Sequence, residues 1–178
     1  LGKIEHFRKH GSAVPAILSA KNYIELDRVI QKFNPQRLLF LGDLFHSKKN
    51  KDWERFTAWV SRNQSLHLQL IIGNHDIIAQ TDIESLGIIT STEVIIEQLR
   101  LTHHPEVTEG YFNICGHIHP GFHLKGEAKQ SLKLPCFYQK KQQLMLPAFG
   151  TFTGKYLISP EEGEHVYVIA EQNVIKIL

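Results

Sequence analysis

Four stretches of the chain close on side chains able to hold metal ions. "LLFLGD" ends at Asp43, with His46 three positions on; "LIIGNHD" supplies Asn74, His75 and Asp76; "LRLTHHP" supplies His103 and His104; "NICGHIHP" supplies His117 and His119. Carboxylate, amide and imidazole donors without a thiolate suit Mn²⁺, Fe or Zn²⁺ rather than Ca²⁺. Two such ions roughly 3.5–4 Å apart can clamp a phosphate and lower the pKa of a bridging water. They also stabilise the attacking and leaving oxygens of phosphate-ester hydrolysis.

Each stretch alone has an ordinary reading. A Gly-Asp after a strand is more often a turn than a metal site, "HHP" alone reads as a surface loop, and histidines two apart also occur by accident. Three polar side chains after an apolar run nevertheless cost folding energy unless something satisfies them. Taken together, in this order and all at strand ends, the four stretches point to one metal site.

The elements that must carry these residues follow from apolar periodicity. Val14, Ile17, Leu18, Ile24, Val29, Ile30 and Phe33 predict a helix over residues 12–33, starting near Ser12 and stopped by Asn34-Pro35. "RLLFLG" (37–42) and "LHLQLIIG" (66–73) read as buried strands around a second helix at about 51–63. "VIIEQLRLT" (94–102) and "YFNICG" (111–116) are strand-like. Beyond residue 130 the runs "LKLPCFY", "QLMLPAF", "KYLIS", "HVYVIA" and "NVIKIL" predict short strands joined by turns. An α/β front half and a β-rich back half in one domain, 1–178, is the expected layout. Ligands of such sheets bind beyond the carboxyl ends of strands, where the four stretches fall. Gly42, Gly73 and Gly116 let the backbone turn as it leaves each strand.

Composition excludes several classes. At 178 residues, 42% hydrophobic and 21% charged, the chain is an ordinary globular protein able to bury a core. Its apolar runs are too short and interrupted to span a bilayer, and no secretory signal is evident. The only two cysteines, Cys115 and Cys136, lack metal-ligand spacing and read as reduced thiols of a cytoplasmic protein. A formal charge of +2 permits a nucleic-acid partner without requiring one.

The motif set Gly-Asp, Gly-Asn-His-Asp, strand-end His and Gly-His-x-His resembles that of the calcineurin-like metallophosphoesterases. The resemblance covers nearly the whole chain. "LGKIEHFRKHG", "GDLFHS", "LTHHP" and "LPAFGTFTG" look closest to the bacterial ligase-associated members, which are associated with a DNA ligase and a DEXH-box helicase in DNA repair. The resemblance implies a four-layer αββα sandwich with two mixed sheets flanked by helices. It also implies two divalent ions, Mn²⁺ first and Fe or Zn²⁺ next. By motif, Asp43 would bridge the two ions; Asn74, His103 and His117 would complete one site, and His119 would serve the other. His75 would stabilise or protonate the leaving oxygen, and Asp76 would hold the His75 ring. His104 would be the weaker of its pair, because the ligand follows the strand directly.

The family's first motif, Asp-x-His, should directly precede "LGK", whereas this sequence begins at Leu1. The motif and the first strand are expected upstream in the natural protein. Hydrolysis would use a metal-activated hydroxide without a covalent enzyme intermediate. His46, placed as in the "GDLFH" of repair nucleases of this fold, favours a phosphodiester substrate, DNA among the candidates. Lys48, Lys49, Lys51 and Arg55 could track a nucleic-acid backbone, although a solvated helix start explains them slightly better. A small-molecule phosphatase would share every site residue. A non-catalytic scaffold of the same fold would have no use for His75 and Asp76.

Overall fold

The computed structural model describes residues 17–126, 130–150 and 153–178, with side chains described from residue 21 onward. The first residues of the helix expected from Ser12 lie outside them, as do "LGKIEHFRKHG" and part of "FGTFTG". The chain divides into two compact units, Leu1–Thr92 with Gly150–Phe152, and Glu93–Phe149 with Thr153–Leu178.

In the N-terminal unit, α1 (Ile17–Phe33) leads to β1 (Arg37–Phe40), α2 (Lys51–Arg62), β2 (His67–Ile71), α3 (Gln80–Glu84) and β3 (Ile89–Ser91). The strands form a parallel sheet in the order β1-β2-β3, with Leu38 opposite Leu68 and Leu70 opposite Thr90. Parallel neighbours need crossovers, and α2 and α3 supply them. Asn34, at φ 42, caps α1 before Pro35, its N–H reaching the Ile30 carbonyl at 2.8 Å. The N-cap of α2 is Asn50, whose side chain accepts from the Asp52 and Trp53 N–H groups at 2.8 and 3.3 Å. Phe56, Trp59 and Val60 then face Leu68 and Leu70 of β2, Tyr23 and Leu26 of α1 and Ile83 of α3 in one buried cluster. The Trp59 indole N–H donates to Asp27 at 2.6 Å, fixing α2 to α1. This core holds the carboxyl ends of β1 and β2, from which the first two motif stretches emerge.

The C-terminal unit is built of β4 (Glu93–Ile96), β5 (Leu99–Thr102), β6 (Phe112–Cys115), β7 (Pro120–Lys125), β8 (Ser131–Lys140), β9 (Gln143–Met145), β10 (Tyr156–Leu157), β11 (His165–Ala170) and β12 (Asn173–Lys176). They join in a nine-stranded mixed sheet, with β5-β6-β9 parallel and the β4–β5 and β7–β8 pairs antiparallel. The single strand expected over 94–102 is in fact a hairpin, since Ile96 pairs with Leu99 across Glu97-Gln98, with Glu97 at φ 54. Neither turn residue is the glycine that announces such hairpins, so the sequence carries no signal there. Strand β7 is likewise hidden, because Pro120-Gly121 reads as a turn; proline is nonetheless acceptable as the first residue of a strand.

Strand β8 changes partners along its length. Ser131–Pro135 pairs with β7, and from Cys136 onward the strand pairs with β11 and β9. Pro135, without an N–H, sits at the changeover, where a missing ladder bond matters least. Cys115 and Cys136 are fully buried with Val166 and Val168, and burial pushes their thiols up to about 12 and about 11. They are packing residues, not nucleophiles.

The α/β class is the one expected, with two sheets and few helices among the described residues.

Candidate functional site

In the N-terminal unit two loops carry the site residues, one after β1 and one after β2. The first leaves the sheet through Gly42 and Asp43, both with positive φ (87° and 54°). The second closes a four-residue turn, the Asp76 N–H meeting the Gly73 carbonyl at 3.2 Å. Asn74 and His75 stand at its exposed corners. Two carboxylates clasp the loops together. Asp43 Oδ1 accepts the His75 backbone N–H at 2.9 Å. Asp76 Oδ2 accepts from the N–H groups of Asp43 (2.9 Å) and Gly73 (2.8 Å), while Oδ1 accepts from that of Phe45 (2.9 Å).

Asp76, expected to hold the His75 ring, serves the backbone of both loops in this structure. Both its oxygens are engaged by backbone donors, and the His75 ring faces His46 instead, stacked at 5.3 Å with 21° between the planes. The physical reason is donor supply: three N–H groups leaving two strands have lost their ladder partners and need acceptors. Burial pushes the Asp76 carboxyl above its usual range; the three N–H groups pull it down, and the neighbouring Asp43 carboxylate adds to the rise. His46 is fixed from the other side, because adjacent Phe45 is 2% exposed and meets Trp53 and Phe56 edge-on at 5.3 and 5.0 Å.

Asp76→Ala should thus act on the loops as a whole. It leaves three backbone donors without their acceptor, and hydrogen bonds to a charged group are worth about 1.5–3 kcal/mol each, so a loss of about 3 kcal/mol or more is expected. Asp76→Asn keeps one acceptor oxygen and should lose less. Denaturant melts of the three proteins check this; a midpoint unmoved by Asp76→Ala would show that the clasp contributes nothing.

In the C-terminal unit His103 follows β5 directly, and His117 and His119 occupy the link between β6 and β7. His103 Nε2 and His117 Nδ1 are 3.2 Å apart. The His104 ring lies 4.8 Å from that of His103 and 4.1 Å from that of His117. One donor atom from each of the three falls within 4.8 Å of the others. Three convergent imidazoles fit a divalent transition metal. His104, the weaker of the pair by motif, thus belongs to the cluster, whereas His119 is not one of the three. The signal for His104 is the doubled histidine itself.

A buried amide organises these rings. Asn113, 1% exposed on β6, donates to the Arg100 carbonyl (3.0 Å) and Thr102 Oγ1 (2.8 Å), and accepts the Glu106 N–H at 3.1 Å. Thr102 in turn donates to the His104 carbonyl at 2.6 Å, and the Gly116 N–H reaches the His103 carbonyl at 3.1 Å. His117, at φ 59, is the centre of a three-residue turn closed by the Ile118 N–H on the Gly116 carbonyl (2.7 Å), and His119 has φ 52.

Among the described residues six non-glycines have positive φ, and three of them are the candidate ligands Asp43, His117 and His119. Asp and His are among the side chains that tolerate this region, at a cost of order 1–3 kcal/mol each. Strain concentrated on the residues singled out for metal binding is what a preorganised site requires.

The basic loop fares differently. Lys49 pairs with Asp82 at 2.7 Å and lies over Trp53, and Arg55 pairs with Asp52, which is 2% exposed, at 2.9 Å. Two of its four cations are thus occupied within the fold.

No protein-family model matches the chain, and no curated protein matches it significantly. Among solved structures, the nuclease MPE of Pseudomonas putida matches with a TM-score of 0.80 and 30% sequence identity, covering 94% of this chain and 82% of that one. With its motif stretches at strand ends and this likeness over nearly its whole length, the chain belongs to the metallophosphoesterase superfamily.

Proposed function

We propose that this hydrolase cleaves phosphodiesters with two divalent metal ions, as a nuclease or phosphodiesterase. The observation that carries the reading is the stacked His46–His75 pair on loops clasped by Asp43 and Asp76. The resemblance to a nuclease of 30% identity supports it. Bound ions would lower the pKa of a bridging water and neutralise developing charge on the phosphoryl group. Manganese is the first choice by family resemblance.

The chain's own residues would divide the remaining work. Asp43 and Asn74 are the proposed ligands of the N-terminal unit, and His103, His117 and His119 those of the C-terminal unit, with His104 beside them. His75, at an exposed turn corner, delivers a proton to the leaving oxygen. His46, stacked on it, meets a non-bridging oxygen. Asp76 positions both loops through their backbone. The finer assignment, to the ligase-associated group acting in DNA repair with a DNA ligase and a DEXH-box helicase in the cytoplasm, rests on the motif resemblance. No described helix is long and apolar enough to cross a membrane.

The test compares bis-p-nitrophenyl phosphate with p-nitrophenyl phosphate in Mn²⁺. The diester should be cleaved faster. A diester carries less charge than a monoester dianion and gains more from an added imidazole. His46→Ala should therefore lower diester turnover about tenfold more than monoester turnover, a difference of about 1.4 kcal/mol in the barrier. Equal losses on both substrates would remove the basis for a diesterase.

A further inference from the structure

We propose that one face of the β7–β8 hairpin, extended by Lys155, binds the phosphate backbone of a nucleic acid and leads it away from His119. This rests on the phosphodiesterase reading above.

Alternation divides the hairpin around Phe122 and Leu134, although Leu132, on the same side, is exposed. Phe122 and Leu134 pack onto the buried cluster of Cys115, Cys136 and Val166, which fixes the inner face. Their neighbours in register, Gly121 opposite Pro135, His123 opposite Lys133 and Lys125 opposite Ser131, must then point outward. Lys125, Ser131 and Lys133 are exposed, and His123 Nε2 meets Ser131 Oγ at 2.6 Å. Exposed Lys155 lies over Gly121, where a Cβ would come within 2.9 Å of the lysine Cβ and 3.3 Å of the Leu134 carbonyl oxygen. The glycine makes the place in which that lysine sits.

Among the described residues of this face the charge is of one sign. No described carboxylate lies within ion-pair distance of Lys125, Lys133 or Lys155, whereas Lys49, Arg55, Arg100 and Lys140 all have acidic partners. Lys125 and Lys133 are diagonal neighbours across the hairpin, near enough for one polyanionic strand to meet both. Strand β7 begins at the residue after His119, and its five steps to Lys125 cover roughly 17 Å. A row of cations that starts at a proposed ligand and continues outward matches a polyanionic strand more closely than a single phosphate.

Binding of a fluorescein-labelled single-stranded oligonucleotide is measured by anisotropy against salt, in EDTA so that no strand is cut. Lys125→Gln, Lys133→Gln and Lys155→Gln combined should weaken binding at least tenfold. The combined change should also flatten the plot of log K against log salt by about 2, at about 0.7 for each phosphate that a lysine no longer neutralises. Hydrolysis of bis-p-nitrophenyl phosphate should be unchanged, which reports folding and the proposed metal site independently. Unchanged affinity and slope beside normal hydrolysis would overturn the surface and leave the phosphodiesterase reading intact. Absent hydrolysis with a normal salt response would overturn that reading instead. Loss of binding to phosphatidylserine vesicles with DNA binding untouched would assign the face to membranes and overturn the proposal.

Discussion

Asp43→Asn should empty the metal site and lower turnover by about 10³-fold or more. Changing a residue that merely hydrogen-bonds to a ligand costs about 10–100-fold, and the loss of a proposed ligand itself should exceed that. The substitution suits the question because it keeps the residue's size and its backbone conformation. Position 43 has φ 54, and asparagine is one of the few residues that tolerates the left-handed region. Its amide oxygen can still accept the His75 N–H that Asp43 Oδ1 accepts at 2.9 Å, and the Asp43 N–H bond to Asp76 is a backbone one. What disappears is the charge. Metal analysis after dialysis and a denaturant melt, run together, should show an emptied site with stability nearly kept. Full metal content with normal turnover would mean that Asp43 is a loop residue only.

The sequence makes some features plain and leaves others hidden, for physical reasons. β1, β2 and α2 are legible because their apolar spacing answers to burial on a single core, and Asn50 is an ordinary N-cap. The strand-end stretches are legible because candidate metal ligands come from a few residue types. The hairpin at Glu97-Gln98 is not, since tertiary pairing forces Glu97 into a conformation its side chain does not advertise. The clasp by Asp76 is not, because it depends on the N–H groups of Asp43 and Phe45, over thirty positions away in the chain and unreadable from types. Strain at His117 and His119 is hidden in the same way; only the backbone path shows it. Lys49 and Arg55 look like part of a basic stripe because charge can be read from sequence while pairing cannot.

His75→Asn should separate chemistry from architecture. The residue joins its surroundings through a backbone N–H to Asp43 and through one ring stacked on His46. Asparagine keeps the first and suits an exposed turn corner, so stability should change by less than about 0.5 kcal/mol, as at other surface sites. Metal content should be kept. Turnover should fall by about 10²–10⁴, the usual worth of a positioned acid, on a substrate whose leaving group needs a proton, such as the sugar hydroxyl of DNA. On bis-p-nitrophenyl phosphate the loss should be much smaller, because p-nitrophenolate leaves without one. The two substrates therefore read different things in the same variant. Equal losses on both would assign His75 to electrostatic stabilisation of the phosphoryl oxygens, and loss of metal would make it a ligand; either result would overturn its role as the acid.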